Sequence, residues 1–230
     1  MDLMHIFRRK PRIELKDSSG GKVLEVDGIP YSVLQSSIYT DSYWDYFFPL
    51  CYMYDEPKVL LIGLGAGTIV RQINRVFGGS VHVDAVESDK RMLAYMQGDY
   101  AIDAEIKNGD GAKYIKGLKG AYDLIMLDAY EGLSIPKQFL KHRFIDDALL
   151  ALNSRGMLAI NFTQRSIMDF DFNGYVAYAS KAFKVMHIKS GMNFIYIFSK
   201  LFGRDEIVEK VCKSLPAEAR HINEGYIDMV

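Results

Sequence analysis

The sequence predicts an α/β fold built on a mostly parallel sheet. Three observations carry that prediction. First, Val59 to Ile62 is an unbroken apolar run that leads straight into Gly63-Leu-Gly-Ala-Gly67. Such a run fits a strand buried on both faces, as in a parallel sheet. Second, Thr68 to Phe77 follows at once with Ile69, Val70, Ile73, Val76 and Phe77 on one helical side. Third, a further apolar strand, Val81 to Val86, ends in the acid Glu87. Strand, glycine turn, helix, strand and acid is the opening of a Rossmann-like, nucleotide-binding domain.

The remaining elements fit this frame in order. Residues 1–38 read as a small β unit. Ile13 to Lys16 and Lys22 to Val26 flank the turn residues Asp17-Ser-Ser-Gly-Gly21, and Asp27-Gly28 precedes Tyr31, Val33 and Leu34. Three short strands bury little alone, so the unit is expected to pack on the main domain, residues 39–230, or across a homodimer interface. Tyr39 to Tyr54 is aromatic-rich. The i, i+3, i+4, i+7 spacing of Trp44, Phe47, Phe48 and Cys51 predicts a helix, read as buried against the sheet rather than as a substrate wall. Helices are expected over 89–98, 110–118, 137–152, 175–183 and 203–215. Strands are expected over 104–107, 122–127 and 157–162. Lys184 to Ile188 and Asn193 to Ser199 are separated by only Lys189-Ser-Gly-Met192, too short for a helical crossover. These two strands are therefore antiparallel. A parallel sheet with one late antiparallel hairpin strand is the architecture of class I methyltransferases and their relatives.

Composition excludes several classes. Of the 230 residues 49% are hydrophobic and 25% charged, unlike a disordered chain. The formal net charge of −1 gives no strong pull toward nucleic acid. The short basic run Arg8, Arg9, Lys10, Arg12 reads as a solvated terminus. No apolar core of a secretion signal and no 18-residue apolar stretch is present, so a cytoplasmic protein without a membrane span is expected. Cys51 and Cys212 are far apart and suggest no disulfide framework. The histidines show no ligand spacing, and no metal is expected.

The site chemistry follows from the strand ends, where open α/β sheets bind ligands. The glycines Gly63, Gly65 and Gly67 let the backbone approach a ligand closely. Thr68 stands where a dinucleotide fingerprint has its third glycine, which disfavours NAD and FAD and suits a nucleoside without pyrophosphate. Glu87 is placed to accept ribose hydroxyls. Asp110, followed by Gly111, can accept an exocyclic adenine amine or cap the next helix. Asp128 ends the strand Leu124-Ile-Met-Leu127 and opens a loop containing Tyr130 and Glu131. Acids beside a phenol suit a sulfonium nucleoside and an amine. An amine with a pKa of ~10 must shed a proton before it attacks carbon, and Asp128 can accept it.

Ile62-Gly-Leu-Gly-Ala-Gly-Thr68, Val86-Glu-Ser-Asp89, Gly109-Asp-Gly111 and Tyr122-Asp-Leu-Ile-Met-Leu-Asp-Ala-Tyr-Glu131 together resemble spermidine synthase and its spermidine-synthase-like relatives. The resemblance covers roughly residues 20–200. It implies transfer of an aminopropyl group from decarboxylated S-adenosylmethionine to a polyamine amine. It implies ribose binding by Glu87, adenine binding by Asp110, catalysis by Asp128 with Glu131 as the second acid of a D-x-x-D motif, and a nucleoside contact from Gln35. The pattern departs at Ala66, where the synthases' G-G-G-D-G-G has an Asp that grips the cofactor amine. It departs again in the segment Tyr43-Trp-Asp-Tyr-Phe47, which stands where the family has Tyr-His-Glu. Two other readings are open: methyl transfer from intact S-adenosylmethionine, and a nucleoside-binding relative without turnover.

Overall fold

A computed structural model describes residues 10–97 and 100–230. Two sheets form. The larger has seven strands in the order β6-β5-β4-β7-β8-β10-β9. Its members are β4 (Lys58–Ile62), β5 (His82–Glu87), β6 (Glu105–Asn108), β7 (Tyr122–Leu127), β8 (Leu152–Thr163), β9 (Lys184–Ser190) and β10 (Asn193–Ser199). The five strands from β6 to β8 pair in parallel. β10 runs antiparallel to both β8 and β9, as the short 189–192 connection requires. The order reverses at β4, which has β5 on one side and β7 on the other. The crevice at its carboxyl end is therefore the topological switch point where ligands bind in such sheets.

Burial explains the central strands. Val59 to Ile62 and Leu124 to Leu127 are covered on both faces, with one apolar cluster on each side of the sheet. Helix α1 (Thr68–Phe77) buries Ile69, Val70 and Ile73 against one face, and α3 (His142–Ala151) buries Phe144, Ile145 and Ala148 against the other. Truncating a residue such as Leu60 or Ile125 to Ala would cost about 2–5 kcal/mol.

The small sheet, β1 (Ile13–Ser18), β2 (Gly21–Val26) and β3 (Ile29–Gln35), is a wholly antiparallel meander. It packs on the main domain rather than standing apart. Leu24, Val26 and Leu34 form an apolar cluster with Ala66 and Met92. The Thr68 hydroxyl ties the start of α1 to Val33 of β3.

Several expected helices are shorter or different. The aromatic segment forms two 3-10 turns, Tyr43–Tyr46 and Phe48–Met53, not one helix. Pro49, at the start of the second turn, has no N–H to continue a helix, and Asp45 accepts the amides of Thr40 and Asp41. Trp44, Phe47, Phe48 and Cys51 are nevertheless buried as expected. The helix expected over 89–98 is one 3-10 turn, Met92–Tyr95, because Asp89 draws the amide and guanidinium of Arg91 into a local turn; Gly98 and Asp99 lie outside the described residues. Helix α2 spans only Gly111–Tyr114, with Gly117 at φ 83° just beyond it. The expected 137–152 helix divides into a 3-10 turn, Lys137–Leu140, and α3. Helix α5 (Phe172–Ala179) begins earlier than expected, and α6 (Arg204–Ser214) matches. Two helices have no counterpart in the sequence reading: α4 (Gln164–Met168) and α7 (Arg220–Ile227). The latter anchors through Tyr226, fully buried, whose hydroxyl donates to the Tyr46 carbonyl at 2.7 Å. The basic run 8–12 begins among residues outside those described. Both cysteines are free thiols, and among the described residues no helix is long and apolar enough to cross a membrane.

Candidate active site

The glycine loop sits where β4 gives way to α1, and each glycine answers a local demand. Gly63 has φ 88°, and a Cβ there would lie 2.4 Å from the Asp128 carbonyl oxygen. Its absence lets the ends of β4 and β7 meet, with the Asp128 amide donating to Ile62 at 2.9 Å. Gly65 has φ 55° and faces the Ser32 hydroxyl of β3, where a Cβ would come within 2.6 Å. Gly67 has φ 87° and ends the loop as the left-handed residue before α1.

The loop is held from two further directions. The Ser32 hydroxyl accepts from the Ala66 amide at 2.8 Å. Arg71, one turn into α1 and 5% exposed, donates to the carbonyls of Ala66 (2.6 Å), Val33 (2.9 Å) and Tyr100 (3.4 Å). Burial, assisted by neighbouring Arg75, lowers its pKa to about 10. Ala66 is itself buried in the cluster beneath the small sheet. Its side chain is a packing group, not a ligand-facing one.

Glu87 closes β5 beside this loop. One carboxylate oxygen accepts from the amides of Leu64 (3.0 Å) and Gly65 (2.9 Å). The other accepts from the Asp89 amide at 2.8 Å, with the Ser88 hydroxyl more distant at 3.5 Å. Burial raises its pKa, and the backbone hydrogen bonds oppose that rise. Glu87 therefore fixes the loop while keeping acceptor capacity on Oε1 for a ligand hydroxyl. Asp110 caps α2, its Oδ1 accepting from Ala112 and Lys113. The capping role is thus real, and it leaves Oδ2 for a ligand. Gly111 is needed for packing: a Cβ would lie 2.2 Å from Ile62 Cγ2.

Asp128 stands on the other side of the crevice. Its Oδ2 accepts from the Trp44 indole N–H (3.1 Å) and the Tyr43 hydroxyl (3.3 Å), and its Oδ1 from the Asn161 amide (2.9 Å). Burial pushes its pKa up to about 6, against the lowering effect of these three donors. A carboxylate titrating near neutrality in a crevice is suited to proton transfer. Tyr43 is held neutral, its pKa raised well above normal by burial and then by Asp128.

The loop after Asp128 is tied down as well. The Tyr31 hydroxyl of β3 donates to the Tyr130 carbonyl (3.2 Å) and accepts from the Gly132 amide (2.9 Å). The Tyr130 hydroxyl donates to the Asn161 carbonyl at 2.8 Å, and burial raises its pKa. The Asn193 amide donates to Asn161 Oδ1. Glu131 pairs its backbone with Ser134 and keeps an exposed side chain.

Gly63, Gly65, Gly67, Glu87, Asp110, Gly111, Asp128 and Tyr130 thus lie at the carboxyl ends of β4 to β7, with Glu131 at the rim. Gln35 is placed differently. Its amide donates to the Tyr39 carbonyl, and its own carbonyl accepts from Arg75 in the last turn of α1. Tyr43, Trp44 and Asn161 are partners of Asp128 that no sequence motif marks. Trp44 is core, as its spacing predicts, and a donor to Asp128 as well. No local spacing links positions 44, 128 and 161, although an Asn in the apolar run Met157 to Phe162 is a signal that a buried polar partner exists.

Residues 46–190 match the family model described as spermine/spermidine synthase domain. The chain belongs to that family. A polyamine aminopropyltransferase of Chromobacterium violaceum is 28% identical over 180 residues, covering 69% of this chain and 67% of that protein. The chain spans about half the length, or less, of further curated relatives. A probable spermidine synthase from Corynebacterium glutamicum has the same fold, with TM-score 0.69, 18% identity, and coverage of 89% of this chain and 84% of that one. Human methyltransferase-like protein 13 is more distant at TM-score 0.56 and 19% identity, covering 80% and 88%. The shared fold is the class I methyltransferase sheet expected from the sequence.

Proposed function

We propose that the protein is an aminopropyltransferase that uses decarboxylated S-adenosylmethionine and a small polyamine-type acceptor. The observation that carries this reading is Asp128: a half-buried carboxylate at the switch point, next to the glycine loop, with its pKa pushed up to about 6 by desolvation. The nucleoside fits the other side of the crevice. Glu87 Oε1 has capacity for the ribose and Asp110 Oδ2 for the adenine amine.

In the reaction the acceptor amine gives its proton to Asp128, directly or through water. Its lone pair attacks the methylene next to sulfur, a nitrogen–carbon bond forms, and the carbon–sulfur bond breaks. The electron pair goes to sulfur, leaving a neutral thioether nucleoside. Most of the rate gain comes from alignment of nitrogen, carbon and sulfur. Exposed Glu131 gives a second anion at the rim for the distal ammonium of a diamine. Localisation in the cytoplasm and a homodimer formed through the small sheet accompany this reading; light scattering tests the second.

The test is incubation of the chain with decarboxylated S-adenosylmethionine and a series of diamines, with the aminopropylated amine and the thioether nucleoside quantified by mass spectrometry. Equimolar formation of both supports the proposal. A methylated amine from intact S-adenosylmethionine, with no aminopropyl product, would sink it.

A further inference from the structure

A second cluster of polar side chains lies at the opposite end of β5 from Glu87. His82 and Asp84 are two apart on that strand, so both project from the same face. Glu105 opens the edge strand β6 and pairs in register with Asp84. One ligand atom from each of the three falls within 4.8 Å of the others.

Asp84 decides what this cluster can do. It is 5% exposed, and its two oxygens have different surroundings. Oδ2 accepts from the Tyr122 hydroxyl at 2.5 Å and lies 3.5 Å from Lys58 Nζ. Oδ1 is buried without a hydrogen-bond partner. It lies 3.2 Å from His82 Nε2, yet the pair lacks hydrogen-bond geometry. Two atoms that are close without pointing at each other can point at a shared third position. Ligand atoms about 2.0–2.1 Å from a tetrahedral Zn²⁺ are separated by roughly 3.3 Å, close to this spacing.

We propose that His82 Nε2, Asp84 Oδ1 and the Glu105 carboxylate bind a divalent transition-metal ion of the Zn²⁺ type, with solvent completing its shell. An imidazole with two carboxylates suits such an ion better than Mg²⁺ or Ca²⁺, which take oxygen ligands. The outer support a ligating carboxylate needs is already present, because Tyr122 holds Oδ2 and in turn contacts the Tyr114 hydroxyl. The ion would clamp β6 to β5. β6 is a four-residue edge strand with every residue exposed, and its carboxyl end leads to Asp110. The cluster Asp41, Asp45 and His221 does not share this property. Asp45 already accepts from Thr40, Asp41, Gln72 and His221, so none of its oxygens is free for an ion.

The experiment is calorimetric titration of the full chain with Zn²⁺ alone, with thermal melts in the presence and absence of the ion. The variants are His82→Gln and Glu105→Gln, both at exposed positions, with His221→Gln as the control. The expected result is one equivalent bound by the parent chain with a raised melting temperature. Affinity should fall at least about tenfold in each of the first two variants and stay unchanged in the third. No binding by the parent chain, undiminished binding by His82→Gln, or loss confined to His221→Gln would each overturn the proposal.

Discussion

The two walls of the crevice hold their acids in different ways. On the β5 side, Glu87 and Asp110 are fixed by backbone amides: Leu64, Gly65 and Asp89 for one, Ala112 and Lys113 for the other. On the β7 side, Asp128 is fixed by side chains alone, from Tyr43, Trp44 and Asn161. Backbone amides give a rigid cradle that does not titrate, which suits recognition of a constant group. At Asp128 desolvation raises the pKa and the three side-chain donors hold that rise in check, which suits a group that must gain and lose a proton.

The largest effect should come from the β7 wall. Asp128→Asn should lower the rate by about 10²–10⁴-fold with little change in nucleoside affinity, read by product assay and calorimetry together. A proportionate loss of both would place Asp128 in binding, not in proton transfer. Next comes Arg71→Ala, which strips the Ala66, Val33 and Tyr100 carbonyls of their buried donor. It should destabilise the fold by about 2–3 kcal/mol, measured by urea unfolding. An unchanged midpoint would show that water replaces the guanidinium.

On the β5 wall, Glu87→Ala should weaken nucleoside binding by roughly 1–3 kcal/mol, the scale of hydrogen bonds to a charged group. Equal affinity would end the ribose assignment. The smallest change should follow Trp44→Phe, which keeps a ring but removes the indole N–H. Asp128 then loses one donor that favours its charged form, so its pKa rises further. For the parent chain, kcat/KM should be full above about pH 6 and fall as pH drops through that value, because the base must be ionised. In Trp44→Phe the break should move to higher pH. A break that stays in place would show that Trp44 only packs.

The same contrast explains how much was legible in the sequence. The β5 wall is local. Its glycines, the strand ending in Glu87 and the Asp110-Gly111 pair lie within fifty residues of one another, and the physics of buried strands and left-handed turns makes them readable. The mostly parallel sheet and the late antiparallel hairpin were readable for the same reason, from apolar runs and connection length. The β7 wall joins positions 43, 44, 128 and 161, and only tertiary packing brings them together. The 39–54 segment misled because its apolar spacing is helical while Pro49 and the Asp45 side chain break the ladder. The contact implied for Gln35 rests on resemblance alone, and in the structure its side-chain NH2 donates to the Tyr39 carbonyl. Helix α7 has a mixed, short apolar pattern that becomes meaningful only once Tyr226 is seen under Tyr46.

The central claim is that the crevice serves an aminopropyl donor despite Ala66. Calorimetric titration of the parent chain with decarboxylated S-adenosylmethionine and, separately, with intact S-adenosylmethionine tests it most directly. The account predicts tighter binding of the decarboxylated form. Tighter binding of the intact form, or no binding of either, would contradict it.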